Sequence, residues 1–487
     1  MIGKSGDIPI LTVFISEISE IEILEQLVKA FEFYILQNFP IDLVIVDEEK
    51  ESYENYVKEA INDVVWNSNV INKKSEGKIF ILGNLSDNDK KLLKARSNLF
   101  IDAKYGKIDL QLDDYDYEYM KKLKNIKYQN KENKTRDFII EDNTSENKID
   151  MNDLLFYNEY GGFSEDGKEY IINVNKNKLL PLAWSNVIAN KNFGTVVTEN
   201  MGGYTWYKNA RLNRVTAWNN DQVFDISSEI IYYYEEESSK IWNTTPAPII
   251  DNNEYYIKYG IGYAKYIHSV NNINQEIELF VPKDDAVKVN LIHLKNNLPK
   301  KRRIKLVYYL KLVLGEDEEK SNGYLKFNFE QNCNSIIIRN WTNEEFNNCY
   351  FVASSENIKS YTANKEEFFG NGNLVNPDGV KIESFSNTGS DAILAVNIDV
   401  ELEALGYKDI SLILGAADKN VDCQNLAYKY SKLDNCIHEY DLVRKYWVDL
   451  LNKVVIKTPN KSLDILMNGW LIYQVLCSRL NGRTGYY

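Results

Sequence analysis

A chain of 487 residues, 44% hydrophobic and 26% charged, has room for two or three domains that each bury a core. Its 57 Lys and Arg stand against 71 Asp and Glu, a formal net charge of −14, which argues against nucleic acid or an anionic membrane surface and suits a neutral ligand such as a sugar. No apolar run nears the roughly 18 residues that cross a bilayer, and the start shows no signal-peptide cleavage pattern, so a cytoplasmic location without a transmembrane segment is expected.

Residues 8–112 alternate short apolar runs with amphipathic stretches. Strands are predicted over 8–15, 41–46, 78–82 and 98–103, with helices over 20–37, 53–66 and 87–96. Strands separated by helices predict a small parallel α/β domain over 1–112. It carries no GxGxxG or P-loop glycines, so nothing there points to a nucleotide. Residues 113–150 are polar and repetitive and read as a linker.

Over 151–416 short strands and turns prevail, for instance 169–174, 277–281, 288–294, 304–314, 335–339 and 410–414, with turn signals at Asn296-Asn297 and Asn376-Pro377-Asp378-Gly379. They predict an antiparallel β-sandwich. Residues 417–453 read as linker helices with Tyr428, Leu433, Tyr440, Val443, Trp447 and Leu450 on an apolar face. A short strand at 454–456 and a helix over 461–479, capped by Asn460 or Ser462, follow.

The five cysteines, Cys333, Cys349, Cys423, Cys436 and Cys477, lack CxxC spacing and read as reduced core thiols; no metal site is predicted. The three histidines are far apart in sequence, His293 and His268 reading as packing or hydrogen-bonding residues. Glu235-Glu236-Glu237 reads as an exposed turn.

Between 157 and 225 the composition changes: Trp, Gly, Tyr, Arg and Asn concentrate. Aromatic rings offer a flat face to a pyranose, Arg, Asn and Asp bond to hydroxyls, and glycines allow close backbone approach. Turn glycines and packing aromatics of an all-β domain produce the same mixture.

The order of the rare-residue clusters is more specific. Asn158-Glu159-Tyr160-Gly161-Gly162-Phe163, Trp184 to Asn190, Phe193-Gly194-Thr195, Gly202 to Trp206, Asn209 to Arg214, Trp218-Asn219-Asn220-Asp221 and Tyr259-Gly260-Ile261-Gly262-Tyr263 resemble, colinearly, the glycoside phosphorylases of glycoside hydrolase family 94. Ser5-Gly6-Asp7-Ile8-Pro9-Ile10 and Phe80-Ile81-Leu82-Gly83 resemble the segment that precedes the phosphorylase portion of cyclic β-1,2-glucan synthases, the branch that includes 1,2-β-oligoglucan phosphorylases.

The resemblance implies an α+β multidomain chain: the small α/β domain, the family's sandwich, linker helices, and over 454–487 the first helix of an (α/α)6 catalytic barrel. It implies inverting phosphorolysis of β-1,2-glucans to α-glucose 1-phosphate, with inorganic phosphate as co-substrate and no bound cofactor. Trp206, Asn209, Arg211, Arg214, Trp218 and Asp221, with Arg479, Arg483 and Tyr486 of the barrel entry, are the implied substrate-binding residues. The family's Arg-Asp-containing sugar-binding stretch and its general acid have no counterpart in the 487 residues, so this chain is expected to bind an oligosaccharide and to be inactive alone, with no catalytic residue of its own. Two alternatives stay open: the module of a split enzyme whose barrel is on another polypeptide, or a remnant of an interrupted gene. An apolar stripe of Leu463, Leu466, Trp470, Tyr473 and Leu476 implies association with a second copy or with a barrel-bearing partner.

Overall fold

A computed structural model of the chain describes residues 8–36, 41–48, 56–66, 68, 77–83, 85–108, 111, 149–221, 223–343 and 345–482. The chain divides into two compact units, Met1–Lys134 and Thr135–Tyr487. The predicted motif at Ser5 to Asp7, nearly all of the linker, Arg483 and Tyr486 lie outside the described residues.

The first unit holds β1 (Ile10–Ile15), α1 (Ile21–Leu36), β2 (Asp42–Asp47), α2 (Tyr56–Trp66), β3 (Ile79–Gly83), α3 (Asp87–Arg96) and β4 (Leu99–Asp102). Its four strands are parallel in the order β3-β2-β1-β4. Because β1 and β2 are covered on both faces they read as continuous apolar runs, as parallel strands do. Val13, Ile15, Leu43 and Ile45 face α1 and α2, while Phe14, Val44 and Val46 meet Leu93 of α3.

Nineteen strands follow among the described residues of the second unit: β5 (Gly161–Phe163), β6 (Glu169–Val174), β7 (Ser185–Ala189), β8 (Phe193–Thr198), β9 (Gly203–Tyr207), β10 (Arg214–Thr216), β11 (Glu229–Glu235), β12 (Lys240–Asn243), β13 (Tyr255–Gly260), β14 (Tyr263–Val270), β15 (Ile273–Phe280), β16 (Val287–Asn296), β17 (Arg302–Gly315), β18 (Leu325–Glu330), β19 (Ser335–Asn340), β20 (Cys349–Ser354), β21 (Ile358–Thr362), β22 (Ile393–Leu402) and β23 (Tyr407–Ala417). They form two antiparallel sheets. One runs β18-β19-β20-β23-β16-β15-β14-β13-β6-β5; the other runs β12-β11-β17-β10-β9-β8-β7, with β22 paired to β17 and β21 to β22.

Side chains of a strand alternate between faces, so a strand buried throughout must be covered twice. In β11, Ile231 and Tyr233 enter the core between the sheets, whereas Ile230, Tyr232 and Tyr234 meet a second core with Phe368, Val380 and Phe385. β17 divides likewise: Leu306, Tyr308 and Leu310 face the main core, Val307 and Tyr309 the second. The excursion between β21 and β22 therefore covers the back of the sheet, with Phe368 stacked 4.9 Å from Tyr309.

Two helices follow β23, α4 (Asn420–Tyr430) and α5 (Leu433–Leu451). Tyr440, Val443 and Trp447 of α5 are buried on the sandwich, but Tyr428 is exposed, contrary to the predicted face. Residues 454–456 form no strand; Asn468 instead holds Ile456 by both backbone groups. The C-terminal helical run is capped by Asn460, whose Oδ1 accepts the N–H of Ser462, and passes through Lys461–Ile465, Leu466–Trp470, Leu471–Gln474 and Val475–Asn481, the second and fourth pieces wound as π-helix. Among the described residues no helix is long and apolar enough to cross a membrane. All five cysteines are free and buried. Glu235 also departs from the predicted exposed turn: it pairs with Arg302 at 2.7 Å in the interior rather than lying in the turn with Glu236 and Glu237.

A buried ion pair joins the sheets. Lys288 of β16 and Glu229 of β11, 2% and 5% exposed, are in contact; Thr205 Oγ1 and Tyr308 Oη donate to the same carboxylate at 2.8 and 2.9 Å. Burial pulls the Lys288 ammonium below its ordinary value against the attraction of Glu229. Removing one partner leaves the other charge uncompensated. Lys288→Met should therefore cost about 3–5 kcal/mol in urea unfolding of this unit, and adding Glu229→Gln should recover much of that loss.

Candidate functional site

The β8–β9 hairpin and the β10–β11 connection meet at one end of the sandwich. Thr198 Oγ1 accepts the N–H of Gly202 at 2.8 Å and donates to Asp225 Oδ2 at 2.5 Å, fastening the hairpin turn to the connection. Gly202 is required by that approach: a Cβ there would lie 2.2 Å from Asp225 Oδ1. Asp225 itself has φ +41°, a conformation that side-chain-bearing residues adopt only when their surroundings impose it.

Above this joint three side chains form a layer. The rings of Tyr204 and Trp218 stack at 4.8 Å, and the Arg214 guanidinium lies 5.5 Å and 6.0 Å from their centroids. Trp218 is 37% exposed, and Arg214 Nε has no hydrogen-bond partner among the described residues. Trp218 offers a solvent-facing ring beside a half-buried guanidinium whose unpartnered Nε is itself closed to solvent, so what a pyranose can use here is ring face to ring face.

The remaining sequence candidates fall elsewhere. Trp206 is 2% exposed and its ring fills the space that a side chain at Gly194 would take, so it belongs to the core. Asn209 and Asp221 shape turns, each Oδ1 accepting two backbone N–H groups, from Arg211 and Leu212 and from Val223 and Phe224. Arg211 is exposed. Arg479 lines a separate groove of about 350 Å3 with Ser185, Asn186, Gln474 and Ser478.

Sequence reasoning missed Glu199 and the carboxylate of Asp225. They are 6% and 7% exposed and share the Asn200 amide, whose Nδ2 donates to Glu199 Oε1 at 3.3 Å and to Asp225 Oδ2 at 3.0 Å. Burial, then the nearby Asp225 charge, pushes the Glu199 carboxyl up to about 7, although the Trp184 N–H donates to it. Asp225 is raised too, mainly by burial. The only signal in the chain was position, since Thr198-Glu199-Asn200 abuts the Gly202-Gly203 turn. Two of the three histidines are structural: His268 stacks on Tyr255 at 3.8 Å, and His293, held between Glu278 and Asp409, is raised to about 9.

The two large antiparallel sheets define a β-sandwich that carries the aromatic–arginine layer. Comparison with known proteins is more specific. The family described as "Glycosyl hydrolase 94, supersandwich domain" matches residues 168–433, and its catalytic-domain counterpart matches 446–487. The chain belongs to glycosyl hydrolase family 94. It is 24% identical to the cyclic β-(1,2)-glucan synthase NdvB of Rhizobium meliloti (strain 1021) over 99% of this chain and 17% of that protein. With the N,N'-diacetylchitobiose phosphorylase of Vibrio proteolyticus it shares 24% identity over 67% of this chain and 43% of that protein. Among solved structures, a bacterial glucoamylase in complex with acarbose aligns at a TM-score of 0.35 and 9% identity over 58% of this chain and 41% of that one. The chain thus spans less than half of the curated relatives that it matches.

The shared carboxylates generate a pH prediction. Between the unfolded value of 4.5 and the folded value of about 7, folded Glu199 holds a proton that the unfolded chain has lost, so stability falls as pH rises through that window. Glu199→Gln should therefore stabilise the sandwich by about 1–3 kcal/mol at pH 8. Thermal unfolding at pH 8 and near pH 4.5 checks this; the gain should vanish at the lower pH.

Proposed function

We propose that this chain is the sandwich-bearing part of an inverting phosphorylase or glycosyltransferase that acts on β-1,2-linked glucans, with inorganic phosphate as co-substrate. The observation that carries the reading is the alignment with the glucan synthase, which takes in 99% of the chain, small α/β unit included, where the chitobiose phosphorylase takes in 67%. In such a reaction phosphate attacks the anomeric carbon while one carboxylic acid protonates the departing sugar oxygen; phosphate replaces the activated water of an inverting hydrolase, so one acid suffices. Cationic side chains must hold the phosphate.

The Tyr204–Arg214–Trp218 layer contributes sugar contacts to this reaction, and the general acid comes from a barrel. The outer face of the C-terminal helical run supports that division. Leu463, Leu466, Met467, Leu471 and Val475 are exposed on it, a contiguous apolar strip of the kind that packs against further helices, whether on the same or another polypeptide.

Two outcomes are expected of the purified 487-residue polypeptide. It releases no glucose 1-phosphate from β-1,2-oligoglucans in phosphate buffer, because a general acid alone contributes about 10²- to 10⁴-fold. Turnover at rates typical of phosphorylases would overturn the reading. It also binds these oligoglucans with dissociation constants on the order of millimolar, measured by ligand-detected NMR, and Trp218→Ala or Arg214→Ala weakens that component severalfold.

A further inference from the structure

A cavity of about 480 Å3 lies in the second unit between the β5–β6 hairpin, α5 and the first turns of the C-terminal helical run. That volume falls in the range of small-molecule sites, about 300–1,000 Å3. None of the residues 199–228 lines it, so it is separate from the Tyr204–Arg214–Trp218 layer.

Its charges cancel: Lys168, Arg444 and Lys461 stand against Asp166, Glu169 and Asp464. A phosphate or a metal ion would need an excess of one sign. The carboxylates are already occupied by the protein. Glu169 Oε1 accepts Tyr263 Oη at 2.6 Å, Asp166 Oδ1 accepts Ser164 Oγ at 2.7 Å, and Asp464 Oδ1 accepts both Thr458 N and Thr458 Oγ1.

The donors are not occupied. The Arg444 guanidinium, the Lys461 amine and the Asn452 amide line the cavity and make no hydrogen bond or ion pair among the described residues. Arg444 is held by ring faces instead, 6.0 Å from Tyr263 and 5.8 Å from Tyr440. Trp447 is brought to the wall by Gly262, at φ +90°, where a Cβ would lie 2.3 Å from the indole Nε1. Val448, Leu451 and Val455 supply apolar surface beside these groups. Open N–H donors around an apolar, aromatic-walled and charge-neutral hollow match a neutral polyhydroxylated ring, whose hydroxyls accept hydrogen bonds and whose C–H face packs on carbon.

We propose that this cavity is a glycan-holding site that binds one end of an oligosaccharide away from the Tyr204–Arg214–Trp218 layer; the ligand class rests on the function proposed above. A second grip on a polymeric chain raises its local concentration at the first.

The test is a ligand-detected NMR titration of the 487-residue chain with the β-1,2-, β-1,3- and β-1,4-linked glucohexaoses, on the wild type, Arg444→Ala/Asn452→Ala, Val448→Phe and Trp218→Ala. All four changed positions are exposed, and unchanged unfolding temperatures verify the fold of each variant. The expected result is saturable β-1,2-glucohexaose binding with a cavity component that the double variant weakens about tenfold, that Val448→Phe, which fills the hollow, abolishes, and that Trp218→Ala retains. Binding lowered by Trp218→Ala and by neither cavity variant would overturn the cavity site and leave the proposed function standing. Cavity-dependent binding of a β-1,3- or β-1,4-hexaose but not the β-1,2-hexaose would support the site and remove the linkage reading. No saturable binding of any hexaose would overturn the site.

Discussion

The Lys288–Glu229 pair is the tie on which the sandwich and its candidate site depend. Two charges inside an apolar core are costly to desolvate, so the pair persists only with its remaining lone pairs satisfied. Here the hydroxyls of Thr205, Thr216 and Tyr308 perform that service. They come from β9, β10 and β17, while the ions come from β11 and β16. One carboxylate thereby fixes four neighbouring strands of one sheet against the other.

The consequence for the site is positional. Tyr204 precedes Thr205 on β9, and Arg214 lies two residues before Thr216 on β10, so the aromatic–arginine layer sits on strands whose register the buried network holds. The loop carrying Trp218 is fastened separately, by Asp225 and by Ser227 Oγ, which donates to the Asn200 carbonyl at 2.8 Å. A rigid strand pair and a tied loop together keep two rings and a guanidinium in register, which suits a surface whose contacts are individually weak.

What the sequence revealed followed from periodicity and from rare residues. The α/β unit was legible because its strands are short apolar runs between amphipathic helices, and predicted helix 87–96 coincides with α3. The antiparallel sandwich was legible from short strands between turn signals, and the family from colinear Gly, Trp and Asn clusters. Individual side chains were not. Trp206 and Trp218 share one motif-rich segment, yet an inward-facing position in β9 sends the first into the core while the loop leaves the second at the surface. Glu235 reads as one of three acidic turn residues, but it ends a strand covered on both faces and meets Arg302 there. Glu199 gave no compositional cue, because its partner Asp225 lies in another connection. Pairings across strands are set by tertiary register, which a linear pattern does not carry.

The C-terminal helical run shows why its apolar residues read as one stripe when they form two. β7 is the edge strand of its sheet and presents carbonyls without a strand partner. The helix supplies the missing donors: Tyr473 Oη to the Val187 carbonyl at 2.7 Å and Asn481 Nδ2 to the Ala189 carbonyl at 3.1 Å, with Trp470 Nε1 donating to Gly167 at 2.8 Å. Trp470, Tyr473 and Cys477 are thus committed to the sandwich, whereas Leu463 and Leu466 of the predicted stripe turn outward with Met467, Leu471 and Val475. A helix that closes a sheet edge with one face and is apolar on the other has the two faces that an element between two cores needs, and this one falls inside 446–487, the residues matched by the family's catalytic domain.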